Sequence, residues 1–225
     1  GTLDLAVQNT GSATADASNV DAFYGAAFNT QDTSTLNVDI LRNTLDRGTS
    51  VTITTGAGGA RPGNITIEAP INRTTANEST LTLNAVNDIV VRASLTSTSG
   101  KFNLAFNADS DKSGAGTVKF EPSAAAGVPV VLDLAGGTLN AASSRASLGA
   151  GTLQIGSTTS AAFDRFNLTG GVLDIQGSLT TGYADWFAGA VQGSGNLTVQ
   201  KGFARGAGVP IATTFNTISL TQQTG

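Results

Sequence analysis

The chain has 225 residues, 40% of them hydrophobic and 12% charged, with 28 glycines and a net charge of −4. Cysteine and histidine are both absent, which excludes disulfide and thiol chemistry and removes the commonest general base and metal ligand at neutral pH. No basic cluster offers a footprint for nucleic acid or an anionic membrane, and no apolar run approaches the ~20 residues of a membrane-spanning helix.

In chain order, residues 1–35 are the least periodic. The stretch SATADASNVDAFYGAAFNT (12–30) is expected to form an irregular coil or an excursion from the main body. Gly1-Thr2-Leu3-Asp4 opens directly on strand-like sequence with no signal peptide, so the chain is expected to be cut from a longer polypeptide. Val38–Leu45 has helical periodicity, which Gly48 limits to a turn or two. Beyond it, period-2 alternation bounded by Gly, Asn, Asp and Ser predicts strands. They fall at Val51–Thr55, Ile65–Glu68, Leu81–Asn84, Ile89–Val91, Phe102–Phe106, Val118–Phe120, Val130–Leu134, Leu153–Ile155, Val172–Ile175 and Leu197–Val199.

The starts of the strong strands at Val51, Ile65, Leu81, Phe102 and Val118 are spaced by 14, 16, 21 and 16 residues, compatible with a sandwich or a parallel β-helix. The absence of any Asn-Gly or Asp-Gly hairpin dipeptide favours the right-handed parallel β-helix. So do the shortness of the strands and the recurrence of strand, small polar turn, strand. Ile53, Ile67, Leu83, Val90, Leu104, Leu132, Leu134, Leu153, Ile155 and Val199 are expected inside, with Leu173, and Gln154 outside. At roughly 20 residues per coil the chain would make about eleven coils and a rod on the order of 50 Å long. One β-helix is expected throughout, with an irregular or capping coil at 1–35, one coil type at 36–139 and a second at 140–225. From about Ala141 the strand spacing lengthens, glycine is denser, and Phe163, Phe166, Trp186, Phe187 and Phe203 replace aliphatic residues.

Several phrases carry a family likeness: ILRNTLDRGTSVTITTGAGG (40–59), GNITIEAPI (63–71), LTLNAVNDIVVRASLTSTSGKFNLAFNAD (81–109) and SGAGTVKF (113–120). They resemble the central region of filamentous-haemagglutinin-like exoproteins of two-partner secretion systems. The later NLTGGVLDIQGSLTTGYADWFAGAVQGSGNLTV (167–199) is similar to the Gly-rich coils of large bacterial adhesins. The resemblance implies a right-handed β-helix, export through an outer-membrane transporter, a secreted or cell-surface location, and adhesion to a glycan or protein of a host or neighbouring cell. The family's Asn-Pro-Asn-Leu secretion motifs have no counterpart here, since no Asn-Pro dipeptide occurs.

Chemistry-bearing residues are sparse. Asn107, Asp109 and Asp111, followed by Gly114, resemble the opening of a calcium loop. Lys112 stands where the tight-turn glycine belongs, so a solvated turn with Asx side chains bonded to their own backbone is the favoured reading. The 16 acidic residues are scattered, and Asp133 and Asp174 read as outward strand positions. A non-catalytic protein is therefore expected, with a polysaccharide-binding or polysaccharide-degrading β-helix as the alternative. A third reading, an ice-binding solenoid, rests on Thr-x-Thr at 33–35, 52–54, 80–82 and 96–98, too unevenly spaced for one aligned ladder. Asn64, Asn72, Asn77, Asn167 and Asn196 begin glycosylation sequons. Trp186 is expected to cap an interior aromatic stack rather than form an exposed sugar platform. The loops 56–63, 107–116 and 121–129 are the candidate binding loops, and bare coil ends are expected to invite end-to-end self-association.

Overall fold

The computed structural model describes residues 4–8, 33–55, 62–122, 127–206 and 219–222. Strands make up 58% of the structure and wind into a parallel β-solenoid of about 6 turns, with the right hand that crossovers between parallel strands adopt. In order the elements are β1 (Asp4–Gln8), β2 (Thr33–Asn37), α1 (Val38–Asp46), β3 (Val51–Thr54), β4 (Ile65–Ile67) and β5 (Ile71–Arg73). Then come β6 (Ser79–Asn84), β7 (Ile89–Val91), β8 (Leu95–Ser97), β9 (Phe102–Asn107), β10 (Val118–Phe120) and β11 (Val130–Asp133). The longer strands β12 (Thr138–Leu148), β14 (Ser160–Ile175), β15 (Ser178–Gln192) and β16 (Asn196–Arg205) follow, with β13 (Thr152–Ile155) between the first two and β17 (Ser219–Gln222) last.

The pairings define three faces. The first stacks β3, β6, β9 and the starts of β12, β14, β15 and β16, ending on β17. The second stacks β4, β7, β10 and later parts of the long strands, with β1 lying between β2 and β4. The third stacks β5, β8, β11, β13 and the ends of β14 and β15. Each coil turns one apolar side chain in two toward a shared interior, because successive residues of a strand point to opposite faces. Val51, Leu81 and Leu104 form one column and Ile65, Ile89 and Val118 another. Burying each such side chain contributes about 1.5–3 kcal/mol.

Coil length differs from expectation. Ile89 follows its partner Ile65 by 24 residues and Leu132 follows Leu95 by 37, whereas Ser178 follows Ser160 by only 18. Long early loops therefore leave about 6 turns where uniform coils of roughly 20 residues gave about eleven. Past Ala141 the coils shorten although the predicted strand spacing lengthens. The long strands round the corners through register shifts instead of loops. At the corner between the second and third faces, Gly171 (φ +72°) and Gly189 (φ +85°) stack on the preceding coil. A Cβ on Gly171 would lie 2.5 Å from the Gly151 carbonyl oxygen, a contact no side chain tolerates.

Of the expected interior set, Ile53, Ile67, Leu83, Leu104, Leu132, Leu134, Leu153, Ile155, Leu173 and Val199 are buried in the core cluster, and Gln154 lies on the partly exposed alternation. Val90 is the exception: it is buried, but the inward residues of β7 are Ile89 and Val91. Val90 stands in register with Thr66, on the outer face. Phe163, Phe166 and Trp186 fill the later interior and Phe203 packs against it, but Phe187 is 53% exposed. The register shift after Leu168, where Thr169 pairs with Ala188, carries Phe187 out of the alternation.

The short helix is present as α1. Asn37 caps it, its side-chain oxygen accepting from the Asp39 and Ile40 N–H groups at 2.8 and 3.4 Å. Val38, Leu41 and Leu45 face the core, and α1 packs against β5. Among the described residues β5 has β8 as its one strand partner, so α1 covers the interior at that end. The stretch 12–30, expected to be irregular, lies outside the described residues.

Candidate functional site

The loop after β9 is a self-contained turn. Asp109 (φ +60°), Lys112 (φ +59°) and Gly114 (φ +85°) all adopt left-handed backbone. Asp109 accepts from the Ser113 hydroxyl at 3.0 Å and from the Gly114 N–H at 2.9 Å, and Asp111 accepts from the Ser113 N–H at 3.1 Å. Desolvation pushes the Asp109 pKa up. The Ser113 hydroxyl and the backbone N–H groups of Gly114, Gly116 and Ala115 outweigh it, so the carboxyl is held below its ordinary value. Asn107 points elsewhere: its amide donates to Asn84 at 2.7 Å, in a side-chain ladder whose next rung joins Asn84 to Thr54 at 3.3 Å. Asn107 thus bonds the neighbouring coil, whereas Asp109 and Asp111 both accept from Ser113. Among the described residues no group of three or more His, Cys, Asp or Glu side chains could hold a metal ion. The geometry is that of an Asx-closed turn, braced from the next coil by Arg145, which donates to the Gly114 carbonyl.

The three faces differ in charge. On the first, Thr52 and Thr82 stand in register, and so do Thr180 and Thr198. Ser178 donates to Ser160 at 2.9 Å on the same face. Of the four Thr-x-Thr motifs, those at 52–54 and 80–82 share this face. Those at 33–35 and 96–98 belong to β2 and to β8 on the third face, so no single ladder forms. Four ion pairs lie along the second face. Arg92 bridges Glu68 at 3.3 Å and Glu121 at 2.9 Å, Lys119 meets Asp88 at 2.5 Å, and Arg165 meets Asp185 at 2.5 Å. Tyr183, 36% exposed, lies beneath both Arg165 (4.6 Å) and Lys201 (5.5 Å). Asp133 and Asp174 do occupy outward positions on the third face. Asp174 accepts from Gln154 at 3.4 Å and Gln176 at 2.6 Å.

Trp186 is 3% exposed and donates to the Gly189 carbonyl at 3.1 Å, which is the interior role expected of it. Of the sequon residues, Asn72, Asn77 and Asn196 are exposed and Asn64 and Asn167 half-buried. Most of the candidate loop 56–63 (56–61) and the centre of 121–129 (123–126) lie outside the described residues.

A cleft of about 310 Å³ opens at the corner between the second and third faces. Lys119, Glu121 and Pro122 of one coil form one wall, and Ser147, Ala150 and Thr169 of the next two form the other. It sits at the base of the candidate loop 121–129. Sequence alone does not show it, because Lys119 and Ser147 meet only through the strand register. The interior guanidinium of Arg73, described below, was likewise unmarked in the sequence.

The chain matches no family model, no curated protein and no solved structure.

Proposed function

We propose that this chain is a rigid stalk segment of a secreted bacterial surface exoprotein of the filamentous-haemagglutinin-like kind, holding binding loops away from the cell. The observation that supports this most is the continuous stack: one hydrophobic core runs from Leu36 to Val199 without a break into separate domains. Polar groups on the outside are largely spent on neighbouring coils, as in the Thr54–Asn84–Asn107 ladder and the Glu68–Arg92–Glu121 bridge. Such a body resists bending and offers protruding loops as its variable surface. In this reading the full-length protein is exported through an outer-membrane transporter and contacts a host or neighbouring cell.

A non-catalytic role is supported by the state of the acids. Asp46, Asp88, Asp164, Asp185, Glu68 and Glu121 each face a cation, a poor arrangement for a general base that must accept a proton. Beads coated with the chain are expected to adhere to host cells. Replacing the loop 107–116 or 121–129 by a short Gly-Ser turn, with the fold retained by circular dichroism, should lower adhesion. Adhesion indifferent to both replacements would reject loop display. Sustained product release from a polysaccharide panel, lost on changing one acidic residue, would reject the non-catalytic role.

A further inference from the structure

We propose that the cleft between Lys119, Glu121, Pro122, Ser147, Ala150 and Thr169 binds a neutral saccharide unit of a surface glycan. This rests on the display-stalk reading and names the ligand class that the stalk would hold.

The cleft volume of about 310 Å³ lies at the lower end of small-ligand cavities, roughly 300–1,000 Å³, which suits one or two sugar rings. A sugar ring needs hydroxyl partners on its edge and an apolar patch under its C–H face, and both are present. Glu121 uses Oε2 on Arg92, bonded by Nη2 at 2.9 Å and Nε at 3.2 Å, which leaves Oε1 to accept. Lys119 gives one N–H to Asp88 and keeps two donors. The Ser147 hydroxyl has no hydrogen-bond partner among the described residues and stands in register with Lys119. Pro122 and Ala150 supply the apolar contact.

Charge decides the ligand class. Lys119 is neutralised by Asp88, whereas Arg92 is shared between Glu121 and Glu68. The charged groups around the cleft are therefore paired and leave one negative charge, which disfavours an anionic sugar. An ionised sugar would have to compete with those pairs, whereas vicinal hydroxyls can add to them without breaking either. The pairs also hold the two polar side chains in place, which lowers the ordering cost of binding.

The test titrates the whole chain with uncharged gluco-, galacto- and manno-oligosaccharides by calorimetry, with sialylated and sulfated glycans as a parallel series. At least one neutral series should bind saturably. Glu121→Ala and Ser147→Phe should each weaken binding tenfold or more, and Gln200→Ala, at an exposed position of β16 outside the cleft lining, should leave it unchanged. Thr169→Tyr, on the exposed rim, should block the cleft again, with melting temperatures showing that every variant folds. Binding only to the charged series, or neutral binding untouched by these cleft variants, overturns the proposal. No neutral binding at millimolar sugar also overturns it. If loop-dependent cell adhesion persists in either case, the stalk reading stands without this site.

Discussion

Arg73 Nη2 and the Leu45 carbonyl oxygen meet at 3.1 Å, tying the last turn of α1 to a strand that follows it in sequence. Arg73 is wholly buried at an inward position of β5. It also donates to the Lys101 and Asn77 carbonyls at 3.1 and 2.5 Å, and its guanidinium lies 5.4 Å from the centre of the Phe102 ring. Burial lowers its pKa and Asp46, 3.6 Å from Nε, partly restores it. One cation thereby satisfies three carbonyls at the end of the solenoid that α1 closes, including one of the helix's own terminal acceptors.

Replacing Arg73 with methionine should therefore cost about 3–5 kcal/mol, since it removes three charge-assisted hydrogen bonds from a buried site and leaves Asp46 without its cation. Lysine should recover only part of this, because a single ammonium cannot reach all the acceptors of a planar fork. Urea midpoints of the two variants would check it. A methionine variant as stable as the parent would show that the cap does not depend on this residue.

A second expectation concerns the corner glycines. Gly171→Ala combines left-handed backbone with a collision against Gly151 and should cost about 1–3 kcal/mol. Gly149→Ala is the matched control, because its new Cβ would meet nothing nearer than Thr169 Oγ1 at 3.6 Å. Thermal melts of the pair should separate clearly. Equal melting temperatures would mean that the corner relaxes freely.

These features differ in how far the residues alone disclose them. The interior columns were readable wherever apolar and polar residues alternate cleanly, as in Val51-Thr-Ile-Thr54 and Leu153-Gln-Ile155. Alternation fails at Ile89-Val-Val91, where three apolar residues in a row hide which one faces out. It also fails at Ile71-Asn-Arg73, where the inward residue is a charge and β5 went unpredicted. The three-residue β8 shows too little periodicity to register. Phe187 misleads because a register shift, which no local pattern announces, turns the chain between Leu168 and Val172. The cleft depends on residues from separate coils, so it exists only once the register is known.

The pH response of the Asp109 turn follows from the direction of its shift. A carboxyl whose pKa is lower in the folded state stabilises that state at pH values above its unfolded pKa, near 3.9 for Asp. The contribution is lost as pH falls through the depressed folded value. The turn should therefore keep its order at neutral pH and through the ordinary aspartate range, and open only in stronger acid. The Gly114 amide resonance, which reports the bond to Asp109, should titrate with a midpoint below that of a free aspartate. Asp109→Asn should abolish that transition. A midpoint at or above the ordinary value would contradict the turn as described.

The last prediction concerns the later interior, where residue size alternates along the stack. On the second face Ala146 pairs with Phe166 and Phe166 with Ala184, so each large ring sits between small neighbours. Phe163 meets Phe166 edge to face at 5.6 Å and Phe120 at 6.0 Å, extending the aromatic packing across two faces. This complementarity keeps the stack filled at close-packed density as the coils shorten. Removing the ring in Phe166→Ala should cost about 3–5 kcal/mol through lost burial and the cavity left behind. Enlarging its neighbour in Ala184→Leu should cost about 1–3 kcal/mol by overpacking. The double change should recover part of the loss, because the leucine fills space that the ring vacates. Phe187→Ser, at the exposed aromatic of the same strand, should stay within about 0.5 kcal/mol of the parent. Denaturation midpoints of these four variants test the packing directly. Additive losses in the double variant would mean that the two positions do not share the space the register assigns them.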